Sequence, residues 1–147
     1  MGALIGGILA DLYQTRILKL FALFEFAIGF FGICSPYIIN WVGDHFVNSG
    51  PVEIALTNFC LLLFPTLLMG ATLPMLVIHI NKTLNHIGAS IGSLYFVNTL
   101  GAAFGSLLAG FFLFDYFTLS QTIYFAVSIN VIVGTLVSVK LVKWNPA

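Results

Sequence analysis

Four apolar runs, at 17–42, 52–80, 88–114 and 118–142, fill most of this sequence. A helix needs about 20 apolar residues to cross a hydrocarbon core about 30 Å thick. Each run meets that length. A fifth run, at 1–10, reaches half of it and reads as the cytoplasmic end of a helix whose beginning lies outside the sequence. The expected fold is an all-α polytopic membrane protein with four full transmembrane helices and one partial. They form a single helical domain over 1–147 with no soluble domain.

Composition agrees. Apolar residues make up 60% of the chain and charged residues 7%, where a soluble domain carries about a quarter. So few charges cannot coat a water-facing surface, and the lipid bilayer is the expected partner. Net charge is zero, which gives no reason to expect nucleic acid. No cofactor or metal set is indicated. Cys34 and Cys60 sit inside apolar runs and read as small packing residues. The start has no basic region and no cleavage site, so it does not read as a signal peptide.

The charges set the topology. Arg16, Lys19, Lys82, Lys140 and Lys143 flank alternate ends of the runs, whereas the other connections carry Asp44, Glu53 and Asp115. Basic residues resist translocation. Residues 11–16, 81–87 and the C-terminus are therefore expected in the cytoplasm, with 43–51 and 115–117 outside. Tyr13, Trp41, Tyr116 and Trp144 fall where interfacial aromatics belong. Thr118 and Gln121 fit a capping box at the start of the last helix. Asn48-Ser49-Gly50-Pro51 reads as a turn leading into a first-turn proline. The run at 52–80 is too long to cross straight, and Pro65 and Pro74 are expected to bend it by removing backbone donors.

Few residues carry chemistry. Glu25 is the carboxylate deep inside an apolar run, where burial costs at least ~2.5 kcal/mol. It shares a helix face with Gly29, Gly32 and Pro36. It reads either as a proton or cation site or as an acid hydrogen-bonded to a neighbouring helix. Asn98 is its expected partner, with Thr66 and Thr72 of PTLLMGATLP (65–74) as neutral ligands around a possible helix interruption. Asn58 and Asn130 read as interhelical hydrogen bonds. The segment GSLYFVNTLGAAFGSLLAG (92–110) places Gly92 and Gly110 on one small face and Gly101 and Gly105 on another. Two such faces predict a central helix. They fit internal packing, the favoured reading, or a homodimer seam. A half-length first helix would leave part of that packing face bare, so a homo-oligomer or a second membrane half is also expected.

Gly7, Asp11 and Arg16 occupy the first connection. Gly7-Ile8-Leu9-Ala10-Asp11 resembles the loop between the second and third helices of major facilitator transporters, in which a glycine admits a neighbouring helix and charges latch helix ends. Leu12 and Tyr13 stand where that pattern has basic residues. With Phe24–Gly29, PTLLMGATLP and LYFVNTLGAAFGSLLAGFFL, the chain resembles the membrane region of bacterial spermidine synthase-like fusion proteins. That resemblance implies most of one six-helix major-facilitator-like half in the bacterial inner membrane. It also implies an aminopropyltransferase domain or protein as partner, which transfers aminopropyl groups from decarboxylated S-adenosylmethionine to a polyamine. The chain shows neither a nucleoside-binding turn nor an acidic pair for that chemistry. Three function classes follow: a membrane region anchoring or serving that activity, a half-transporter for a small or cationic solute, and a non-catalytic scaffold or fragment.

Overall fold

The computed structural model describes residues 1–144, with side chains described for all of these except Thr83 and residues 142–144. The chain forms α1 (Gly2–Leu12), α2 (Ile17–Phe46), α3 (Pro51–Leu84) and α4 (Ile87–Leu108). A π-helical turn (Ala109–Leu113) and a single turn α5 (Phe114–Tyr116) then lead to α6 (Leu119–Trp144). No strand occurs among the described residues. Four helical stretches, Ile17–Phe46, Pro51–Lys82, Ile87–Tyr116 and Leu119–Leu141, are long and apolar enough to cross a membrane, and α1 is shorter. The molecule is an all-helical membrane protein of the expected class. Its helices mostly run a few residues past the apolar runs, because backbone hydrogen bonding continues into polar flanks such as Gly43, Asp44 and His45.

The helix ends follow local chemistry. The Thr118 N–H donates to Gln121 Oε1 at 2.9 Å, and the Gln121 N–H donates to Thr118 Oγ1 at 3.3 Å. This is the reciprocal cap expected from the sequence. Pro51 opens α3, and the Gly50 N–H donates to Glu53 Oε2 at 3.3 Å. Asn85 ends α3 in the left-handed region, at φ 51°.

Helices α2 and α3 form the middle of the bundle. They pack on each other, α6 packs on α2, and α1 and α4 pack on α3. Gly2 and Gly6 of α1 meet the backbone of Leu67 and Ala71. The constant offset makes α1 parallel to α3. Gly29 lies against Val131, Gly32 against Val127, and Gly134 against Phe26, so α2 and α6 are antiparallel. Ala10, Ile17, Phe21 and Met75 form a buried core where α1, α2 and α3 converge, with Val133 and Val137 of α6 packed against it.

Two expectations are corrected here. The glycine-rich α4 stands at the edge, not the centre. A Cβ added at Gly88, Gly92, Gly101, Gly105 or Gly110 would meet nothing, since α4 packs chiefly on α3 among the long helices. The second correction concerns α3, which is one continuous helix with Pro65 and Pro74 inside it. At ~1.5 Å per residue it reaches about 51 Å, and the two prolines do not interrupt it.

Candidate functional site

Glu25 lies about 12 Å along α2 from Ile17, well inside the apolar stretch. It is only 9% exposed. Helix α6 covers part of it. A Cβ added at Gly134 would stand 3.3 Å from Glu25 Cβ and 3.1 Å from the Phe26 ring. Glycine at 134 therefore lets the α6 backbone come up against the carboxylate-bearing face of α2. Among the described residues, none hydrogen-bonds the Glu25 carboxyl group.

Polar groups line the same seam. Asn130, Gly134 and Ser138 recur every fourth residue along α6 and so share a face. The Asn130 Cβ lies 3.9 Å from where a Gly29 Cβ would be. At present Asn130 Nδ2 donates to the Ala126 carbonyl at 3.3 Å, and Ser138 Oγ donates to the Gly134 carbonyl at 2.8 Å. Asn130 Oδ1 and the hydroxyl lone pairs stay available as acceptors. Asn130 and Ser138 lie one turn, about 6 Å, to either side of Gly134, and a buried carboxylate in such a seam can hold a proton or receive an ammonium-type cation. Sequence reasoning treated Asn130 as a lone amide and missed Gly134 and Ser138. The signal was their four-residue spacing in the last helix.

The site differs from the expected constellation. Asn98 is exposed on α4, away from the α2–α6 seam. Thr66 is exposed and donates to the Leu62 and Leu63 carbonyls, at 2.8 and 3.1 Å. Thr72 donates to the Met69 carbonyl at 2.8 Å. Neither threonine serves the carbonyls of residues 61 and 70 that Pro65 and Pro74 leave free. Asn58, like Asn130, bonds its own helix, to the Ile54 carbonyl at 3.0 Å, instead of a neighbour. Among the glycines, Gly29 and Gly32 lie in the α2–α6 contact, whereas Gly92, Gly101, Gly105 and Gly110 face open space.

The first connection also rearranges. Gly6, not Gly7, makes the close approach, and a Cβ at Gly7 would meet nothing. Asp11 and Arg16 are both exposed. The latch comes from Lys82, whose Nζ donates to the Gln14 carbonyl at 3.1 Å. Tyr13, Trp41 and Tyr116 are exposed; the side chains of Lys143 and Trp144 lie outside the described residues.

A cleft of about 410 Å³ opens between the π-helical turn and α6, lined by Leu108, Phe112, Phe117, Gln121, Tyr124 and Phe125. Its walls are almost wholly apolar, and the Gln121 amide oxygen already serves the cap. It offers nothing to a charged solute. No family model matches this chain, and neither does any curated protein or solved structure.

Proposed function

We propose that this chain is the membrane region that anchors or serves a polyamine aminopropyltransferase activity carried elsewhere, with Glu25 as its cation-recognising group. The link to that activity rests on the motif resemblance. The observation that carries the cation reading is the burial of Glu25 without a hydrogen-bond partner among the described residues. An intramembrane carboxylate is costly to keep. A polyamine nitrogen would give it a charge partner, and Asn130 and Ser138 would supply neutral acceptors beside it. The test is binding of labelled spermidine to the full chain in nanodiscs. Glu25→Gln keeps shape and hydrogen bonding and is expected to fold normally while binding is lost. Full retention of binding by that variant would remove Glu25 from the site.

A second reading, a half-transporter for a small or cationic solute, draws on the open faces of α4. A partner half would cover them. Uptake of spermidine by proteoliposomes holding the chain alone or paired separates this reading from the first.

A further inference from the structure

We propose that a cation reaches Glu25 only in exchange for a proton, one leaving as one cation binds. The inference rests on the cation reading of Glu25 and adds what balances its charge when the site is empty. Helices α3 and α6 pack on α2, and neither brings a charge to the level of Glu25. On α6, Gly134 lies against Glu25, and the nearest charge on that helix is Lys140, six residues on. On α3, Phe64 packs on Phe31 with ring centroids 5.5 Å apart, and Met75 shares a core with Phe21. These antiparallel pairings bring Glu25 level with Gly70. From Pro65 to Ile78, α3 carries no titratable group, and His79 is nine residues beyond Gly70.

Helix α1 meets α2 around Ala10, Ile17 and Phe21, and Asp11 beside that contact is exposed. On α2 itself the nearest charge is Lys19, six residues back. Six residues are about 9 Å along a helix. Lys19 and Lys140 are both exposed, and long lysine stems carry their ammonium groups toward the membrane surface, away from Glu25. Level alone therefore denies Glu25 a charge partner, whichever side of its helix each group occupies. An unpaired carboxylate inside an apolar stretch costs more than taking up a proton, so the empty site holds the neutral acid. A cation then meets an O–H group that offers no charge. For an ammonium N–H to donate to a carboxylate oxygen, the Glu25 O–H bond breaks and its proton passes to water. Proton and cation compete for one carboxylate, so binding tightens as pH rises.

The experiment joins infrared difference spectroscopy to spermidine calorimetry on the full chain in nanodiscs. The ligand-free wild type minus Glu25→Gln spectrum, at neutral pH, is expected to show the carbonyl stretch of a protonated acid. Spermidine should replace it with carboxylate bands. Calorimetry in buffers of different ionisation enthalpy should count about one proton released per spermidine bound. Affinity should fall about tenfold for each pH unit below neutrality, a range over which alkyl ammonium groups keep their charge. That series uses the wild type alone, so it decides the matter even where Glu25→Gln folds poorly. Carboxylate bands in the ligand-free chain, spermidine bound with no proton released, or an affinity indifferent to pH would overturn the exchange and leave the cation reading standing. An acid band in a chain that binds no spermidine would overturn both.

Discussion

Single residues decide which helices touch. Gly2, Gly6 and Ala10 repeat every fourth position along α1 and are all buried. Gly6 brings the α1 backbone against that of Ala71, so a side chain there has nowhere to go. Gly6→Leu is expected to separate α1 from α3 and to destabilise the protein by about 1–3 kcal/mol. Gly7→Leu, facing open space, should be nearly silent. Thermal unfolding in detergent compares them, and equal melting temperatures for the two variants would refute the packing account. The sequence motif that suggested Gly7 was off by one residue. A loop pattern ranks glycines by resemblance, whereas the packing face of α1 is set by four-residue spacing. The same cause hid Gly134 and Ser138. Glu25 was legible because a carboxylate in an apolar run stands out by itself; its neighbours became visible only once α6 was known to lie against α2.

At the scale of the element, polar side chains here mostly serve their own helices. Ser35 shows why. Pro36 lacks the N–H that would reach the Gly32 carbonyl, and Ser35 Oγ donates to that same carbonyl at 2.9 Å. Ser35 is buried, at 8% exposure, so Ser35→Ala should strand the carbonyl and cost about 1–3 kcal/mol. Adding Pro36→Ala restores the backbone donor, and the double variant should recover much of the loss. A chemical unfolding series in mixed micelles measures both. A double variant no more stable than Ser35→Ala would mean that the hydroxyl is incidental. The ends of α6 and α3 were readable from sequence because Thr118–Gln121 and Pro51 act through local backbone chemistry. The π-helical turn at Ala109–Leu113 was not, since one extra residue per turn leaves no mark in hydropathy. The amides of Asn58 and Asn130 were misassigned for a related reason. Composition shows that an intramembrane amide needs a partner, but a carbonyl four residues back is always within reach and competes with any neighbouring helix.

For the whole molecule, the five runs and the sorting of charge were legible, while the arrangement of the helices was not. Small-residue faces told that α4 can be approached closely, and the chain alone leaves those faces open. What the fold adds to the charge pattern is a common end. The α2–α6 register and the Lys82–Gln14 hydrogen bond gather Arg16, Lys19, Lys82 and Lys140 on one side of the bundle. Asp44, Glu53 and Asp115 lie toward the other. Moving several cations across a membrane is opposed at each one, and all of them favour the same orientation. The basic end is therefore expected to face the cytoplasm. In a Cys34→Ala/Cys60→Ala background, Lys82→Cys in intact cells should resist a membrane-impermeant maleimide, while Asp44→Cys should react with it. After permeabilisation both should react. Ready labelling of Lys82→Cys before permeabilisation would place the basic end outside and overturn the topology. If the orientation holds, Asp11 and the basic end face the compartment in which a soluble transferase would work. Asp44, Glu53 and Asp115 face away from it, and Glu25 lies inside the apolar stretch of α2. So divided, the acids cannot converge on one amine in a cytoplasmic pocket, and purified chain given putrescine and the decarboxylated donor should form no spermidine.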